Sequence, residues 1–73
     1  MNFSDIKPED LLTVFDKPSR KIRERQGKYF SANDTFLTIQ FLYYKDSLLL
    51  SDLRQGKATI YKDKEAVEFA PLK

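Results

Sequence analysis

An alternation of apolar and polar positions between Thr35 and Tyr44 is the clearest structural pattern in this chain. Successive residues of a β-strand point to opposite faces of a sheet, so every second residue shares one face. The odd positions here form one continuous apolar face, made of Leu37, Ile39, Phe41 and Tyr43. The stretch is also rich in the β-branched and aromatic residues that strands favour. We therefore predict a central strand over 35–44.

The even positions of this stretch add Phe36 and Leu42 to the opposite face. Either a second element covers that face, or the face is a contact surface. Because Tyr43 is assigned to the inner face, Tyr44 is predicted to point outward. An exposed tyrosine there would resemble the anchors of protein interfaces, whereas a two-sided core would bury it.

The segment 8–16 is predicted to form a short N-terminal helix. Pro8 suits the first helical position, and Pro18 disfavours helical geometry at the residue before it. Apolar residues recur between them at helical spacing, at Leu11, Leu12 and Phe15. Both ends of this helix therefore have a physical cause.

Three further segments complete the predicted elements. Residues 28–30 precede a loop signal and could pair back as the preceding strand, which would place the basic segment on or beside a sheet edge. Segment 48–53 is either a strand or a helix ended by Gly56, because periodicity cannot distinguish them over so short an apolar run. Segments 58–61 and 66–69 flank a charged tip and predict a hairpin.

These elements predict an α+β fold in one domain, residues 1–73, with 71–73 frayed. A short N-terminal helix would pack on a small antiparallel sheet of three to five strands. A small SH3-like or OB-like barrel is the alternative if 48–53 is a strand and the sheet closes. With 41% hydrophobic residues and 14% aromatics, the chain has enough apolar area for a folded core.

Positive charge is concentrated between residues 17 and 28. Six cations against Glu24 give this segment +5, and since the whole chain carries +2, the remainder sums to −3. The six are Lys17, Arg20, Lys21, Arg23, Arg25 and Lys28. Segregated charge attracts an oppositely charged partner and speeds encounter. These six residues and Tyr44 are the predicted partner-binding residues.

Composition argues against catalysis. The chain has no cysteine and no histidine, so it lacks thiolate chemistry and the usual base and metal ligand at neutral pH. Its two glycines are isolated, so no phosphate-binding glycine loop occurs. We expect a non-enzymatic protein with no cofactor, metal site or small-molecule substrate. No segment resembles a membrane span or a signal peptide, which predicts a cytoplasmic protein.

Three interpretations of the basic segment remain open. It could be a solvated edge strand or short helix whose charges deter aggregation, a surface for an acidic protein, or a phosphate-binding surface for single-stranded nucleic acid. Tyr29 and Phe30 lie next to the segment, as aromatics do in single-strand binders. Three of the six cations are Arg, whose planar fork engages carboxylates, and the acidic remainder would repel a nucleic-acid backbone. Nucleic acid is therefore the less favoured direct target.

The opening segment MNFSDIKPEDLLTVFDKPSRKIRERQGKYF and the segment TFLTIQFLYYKDSLLL resemble a small phage-encoded transcription regulator that binds the RNA polymerase of a Xanthomonas host. The resemblance covers the full length and involves no signature motif. It implies binding to the largest polymerase subunit near its N-terminus, inhibition of initiation by displacement of the sigma factor, and suppression of termination. It also implies a location in the cytoplasm of an infected bacterium. It assigns no individual contact residue.

Overall fold

The computed structural model describes residues 1–17 and 19–69. Six antiparallel strands form one sheet in the order β4-β3-β2-β1-β5-β6. The elements in chain order are a 3₁₀ helix at Phe3–Asp5, β1 at Leu11–Asp16, β2 at Arg23–Ala32, β3 at Phe36–Gln40, β4 at Lys45–Leu49, the α-helix α1 at Leu50–Arg54, β5 at Ala58–Lys62 and β6 at Glu65–Ala66. Among the described residues, no helix is long and apolar enough to cross a membrane.

The predicted fold class is confirmed in its coarse outline, an antiparallel sheet with a short helix. The sheet has six strands rather than three to five, and the helix is a minor element. Segment 48–53 is neither wholly strand nor wholly helix, because β4 ends at Leu49 and α1 begins at Leu50. In the described part of the chain, β4 and β6 are unpaired edges, so the sheet is open and the barrel alternative fits only in part.

The predicted N-terminal helix over 8–16 is wrong. Pro8 lies in a turn in which the Asp10 amide donates to the Lys7 carbonyl at 3.1 Å. Glu9, at the next position, has a φ of 79°. Proline followed by a residue with positive φ is the geometry of a type II turn, so the fixed φ of Pro8 serves a turn and not a helix. The Asp10 carboxylate also accepts the Lys7 amide at 2.8 Å.

Strand β1 follows this turn in place of the predicted helix. Its burial alternates, with Leu12 and Val14 almost fully buried on the inner face and Leu11 exposed. The helical spacing rested on three apolar residues, but the β-branched Thr13 and Val14 between them favour a strand. The side chains of this segment therefore alternate every two residues, as in a strand, and do not follow the 3.6-residue repeat of a helix.

The hydrophobic core lies on the inner face of the sheet and includes residues of α1 and the N-terminal segment. Its buried members are Ile6, Leu12, Val14, Leu37, Ile39, Phe41, Leu50, Leu53, Ala58, Ile60 and Val67. The predicted inner positions Leu37, Ile39 and Phe41 are confirmed. Tyr43 was wrongly assigned to this face, because β3 ends at Gln40 and Tyr43 lies 89% exposed in the β3–β4 turn.

Strand β2 lies between β1 and β3 in the strand order, but among the described residues its basic first half, 23–27, pairs with β1 alone, so the expected position beside a sheet edge holds for that half. It pairs with β1 along Arg23 to Lys28 and with β3 from Lys28 onward. At ten residues, β2 is long enough to contact both neighbours. The basic segment therefore consists of an exposed β1–β2 loop followed by the half of β2 that pairs with β1 and is joined by β3 only at Lys28.

At Gly27 the backbone of β2 lies directly against side chains of the core. A Cβ atom at this position would lie 2.6 Å from Ile39 Cγ2, 2.7 Å from the Gln40 carbonyl oxygen and 2.8 Å from Phe41 Cδ1. One of these is a backbone atom that cannot rotate away. The strand thus requires glycine here for space, although its conformation is ordinary.

Replacing Gly27 by alanine should lower the free energy of unfolding by about 1–3 kcal/mol, the usual cost of overpacking a core. Urea denaturation would measure the change. Ser31→Ala, on the exposed part of the same strand, is the matched control and should change stability by less than about 0.5 kcal/mol. An unchanged midpoint for Gly27→Ala would show that the sheet can open to accept the methyl group.

Residues with positive φ form the turns in the C-terminal half of the chain. Gly56 has a φ of 78° directly after α1, as expected for a residue that ends a helix. Strands β5 and β6 form a hairpin as predicted, with Asp63 and Lys64 at its tip at φ values of 50° and 69°. Strand β6 is Glu65–Ala66, however, and overlaps the predicted second strand, 66–69, at one residue. Two successive positive φ angles are typical of a two-residue hairpin turn. The prediction for 71–73 lies outside the described residues.

Candidate partner-binding site

The β1–β2 loop holds the unpaired part of the basic segment. Lys17, Arg20 and Lys21 are exposed, and among the described residues none of them has a carboxylate partner. Arg20 has a φ of 69°, so the loop turns sharply there. Ile22, at the end of the loop, is 67% exposed. The loop thus presents three cations and one apolar side chain to solvent.

Arg23 and Arg25 form a carboxylate network where β2 begins. Arg23 binds Asp16 through two hydrogen bonds, Nε to Oδ1 at 3.1 Å and Nη2 to Oδ2 at 2.8 Å. Arg25 binds the same carboxylate at 3.3 Å and Asp46 Oδ2 at 2.9 Å. The Arg23 side chain is 44% exposed, but that of Arg25 is only 9% exposed. Arg25 therefore joins the end of β1 to the start of β4.

The network shifts the acid–base equilibria of its members. The hydrogen bond from Arg23, with the positive charges of both arginines, holds the pKa of Asp16 below its ordinary value although burial opposes this. Burial works against the charged form of Arg25, but hydrogen bonds to Tyr44 and Asp46 outweigh it and raise its pKa. The Nε atom of Arg25 is buried and has no partner among the described residues.

Tyr44 lies at the same end of the molecule as this network. Its hydroxyl lies 3.3 Å from Arg25 Nη1, and its ring packs 5.3 Å from that of Phe41. The Arg25 guanidinium in turn lies 4.4 Å over the Phe41 ring. Tyr44 is 48% exposed, so one side of it supports Arg25 and the other is open to a partner.

The tip of the β3–β4 turn carries two apolar side chains that are almost fully exposed, Leu42 at 81% and Tyr43 at 89%. Sequence reasoning missed Tyr43, because the alternation of 35–41 was extended two residues too far. The polar residues Lys45, Asp46 and Ser47 suggest a turn but form the start of β4, so the turn lies just before them. We use the name basic end for Lys17, Arg20, Lys21 and Arg23 together with the tip at 42–44.

Lys28 is a predicted site residue that lies away from the β1–β2 loop but near the tip at 42–44, because it pairs with Gln40 at the end of β3. It lies five residues along β2 from Arg23, a separation of about 17 Å. Its Nζ atom is 3.6 Å from Glu9 Oε2, and its side chain is 60% exposed. A role for Lys28 in binding stays a prediction.

The described residues contain no group of three or more acidic side chains that could hold a metal ion. Comparison of the chain with known protein families, curated proteins and solved structures found no match.

Proposed function

We propose that this protein is a non-enzymatic regulator that binds bacterial RNA polymerase through its basic end. Following the resemblance, the partner is the largest subunit near its N-terminus, and binding displaces the sigma factor, inhibits initiation and suppresses termination. The observation that carries the proposal is that the β1–β2 loop, with three unpaired cations, and the β3–β4 turn, with the exposed Leu42 and Tyr43, lie at the same end of the sheet. A target that is acidic overall complements this surface.

The two parts of the basic end would have different roles in binding. Exposed cations steer an encounter with an acidic surface and fix orientation, which affects the association rate most. Large exposed apolar side chains supply affinity when a partner buries them, and tyrosine is common among such anchors. Arg25 connects both parts through Asp16 and Tyr44, so it positions the surface rather than offering free hydrogen bonds.

The scaffold that we propose for this surface is SH3-like. Strand β1 pairs with both β2 and β5, strands β2 to β4 form a meander, and a short helix leads into β5. Because neighbouring strands are antiparallel, β1 and β3 run in the same direction. The β1–β2 loop and the β3–β4 turn, which follow these two strands, therefore lie at the same end of the sheet.

Single-stranded nucleic acid is a weaker candidate for the basic segment. Tyr29, one of the two aromatics that favoured it, packs against the core and lies 5.9 Å from Phe3. Phe30 is 49% exposed but lies under Lys45 Nζ at 3.8 Å. Tyr29 and Phe30 therefore do not give the basic end a stacking platform.

Reversing two charges of the loop, in the double variant Arg20→Glu/Lys21→Glu, should weaken binding to purified Xanthomonas RNA polymerase at least tenfold, or about 1.4 kcal/mol. Arg23 and Arg25 are left intact because they hold Asp16, and their reversal would disturb the fold. Binding to immobilised core enzyme and to an N-terminal fragment of the largest subunit, with release of sigma factor from holoenzyme, provides the measurement.

Lys57→Glu/Lys64→Glu is the matched control, since it makes the same change in net charge at exposed lysines outside the basic end. It should bind polymerase like the wild type. Equal losses in the two variants would mean that only net charge matters, which contradicts a localised site. No binding of the wild-type protein to polymerase would disprove the proposed function.

A further inference from the structure

The outer face of β1 and β5 forms an open groove of about 910 Å³ that shares only Lys17 with the basic end. Its floor includes Phe15, Thr59 and Tyr61, and its rim includes Lys17, Lys57 and Lys64. The three lysines come from three different connections, the β1–β2 loop, the α1–β5 loop and the β5–β6 turn. Its volume lies within the range of about 300–1,000 Å³ that is usual for ligand sites.

The charge of the groove selects an anionic occupant. Asp16 is the one acid among its described lining residues, and Arg23 and Arg25 already neutralise that carboxylate. Lys57 is 67% exposed, and its Nζ atom lies a loose 4.0 Å from Asp52. Three ammonium groups thus surround an aromatic floor without a competing free carboxylate in the lining.

The floor offers aromatic surface for stacking. Phe15 and Tyr61 lie on neighbouring strands, with ring centroids 5.6 Å apart and planes at 86°. Both rings are partly exposed, and Ile22 of the loop stands beside them. Aromatic rings on a sheet within a positively charged groove are the arrangement by which proteins bind single-stranded nucleic acid, with bases stacked and phosphates paired to lysines.

The type of cation separates this groove from the basic end. Lysine is depleted at protein interfaces and acts as a point charge for phosphate, whereas arginine suits carboxylates. The cations among the described lining residues of the groove are all lysines, whereas the basic end has Arg20 and Arg23 beside its lysines. The hydroxyls of Thr59 and Tyr61 have no hydrogen-bond partner among the described residues, so they are free to bind a ribose 2′-hydroxyl, the group that distinguishes RNA from DNA.

We propose that this groove is a second binding site and that it takes a short segment of single-stranded RNA. The phosphates would pair with Lys17, Lys57 and Lys64, and one or two bases would stack on Phe15 and Tyr61. The site is independent of the basic end, apart from Lys17, which lies at the boundary of both. It does not depend on polymerase binding.

The first test is titration of the purified full-length protein with a fluorescent oligouridine of ten nucleotides. Three lysine contacts predict a log–log salt slope of roughly −2, so affinity should fall about 20-fold between 50 and 200 mM salt. Oligothymidine of the same length should bind several-fold more weakly. Equal binding of the two oligomers would overturn the assignment to RNA.

Matched variants locate the site. Lys57→Glu/Lys64→Glu should weaken oligouridine binding at least tenfold, while Arg20→Glu/Lys21→Glu, with the same net charge, should lose less than threefold. Equal losses would indicate non-specific attraction and overturn the proposal. Because these four side chains are exposed, both variants should melt near the wild-type temperature. Polymerase binding should instead be weakened by Arg20→Glu/Lys21→Glu and left unchanged by Lys57→Glu/Lys64→Glu. Either proposal can therefore fail without the other.

Nuclear magnetic resonance of the wild-type protein provides a test that needs no variant. Stacked bases should shift the ring resonances of Phe15 and Tyr61 upfield, and should leave Tyr43 at the basic end unchanged. Shifts confined to residues 42–44 would place the RNA elsewhere and contradict the proposal. Displacement of the RNA by an equimolar acidic peptide would show that the groove prefers carboxylates and would also overturn it.

Discussion

Replacing Phe41 by alanine is expected to cost about 3–5 kcal/mol of folding free energy, the usual range for truncating a buried phenylalanine. Phe41 is 4% exposed, and its ring contacts the position where Gly27 lacks a side chain. The ring also supports the Arg25 guanidinium at 4.4 Å and the Tyr44 ring. Truncation would therefore create a cavity and remove the support of the basic end at once.

A loss of this size should leave the chain largely unfolded at room temperature. A core in a domain of fewer than about 80 residues rarely supplies more than roughly 3–5 kcal/mol, and this chain of 73 residues has no cysteine for a disulfide. Circular dichroism during thermal unfolding would measure the effect. Tyr43→Ala, two residues away and 89% exposed, should melt within a few degrees of the wild type. A Phe41→Ala protein that melts like this control would place Phe41 outside the core.

Patterns that are local in the sequence were predicted well. The alternation that buries Leu37, Ile39 and Phe41 needs only a strand with one apolar side. The β5–β6 hairpin follows from a charged tip between two short apolar runs. Gly56 at a positive φ after α1 is likewise a local requirement of the backbone.

Errors arose where a distant segment decides the structure. Segment 8–16 has features of both a helix and a strand, and the pairing of β1 with β2 and β5 on its two sides selects the strand. The sequence also does not show that β2 lies between β1 and β3, because that depends on their pairing with its two edges. Propensity is a weak prior when tertiary pairing opposes it.

The candidate site likewise combines features that are visible in the sequence with features that depend on distant segments. Segregated charge in 17–28 is visible in the sequence, but the pairing that divides it into free and engaged cations is not. Arg25 binds Asp16 nine positions before it and Asp46 twenty-one positions after it. Lys17, Arg20 and Lys21 are unpaired because their loop projects beyond the strand ends. The groove on the outer face was not foreseen, since its lysines come from three separate connections.

Arg25 is predicted to be a structural residue, and its replacement should show this. Arg25→Ala should destabilise the protein by about 3 kcal/mol, because it leaves Asp16 partly buried with one partner fewer and removes the bridge to β4. Arg23→Ala should cost less than about 1 kcal/mol, since that side chain is 44% exposed and its ion pair is screened by water. Urea denaturation of the two variants provides a direct comparison.

Arg25→Lys separates the charge from the shape of the group. Lysine keeps the positive charge but cannot bind Asp16, Asp46 and the Tyr44 hydroxyl together, because only the planar guanidinium presents several donors in a fixed geometry. We therefore expect the lysine variant to recover less than half of the stability lost in Arg25→Ala. If instead both Arg25 variants kept wild-type stability and lost polymerase binding, Arg25 would be a partner contact, and the assignment of its buried network to folding would be wrong.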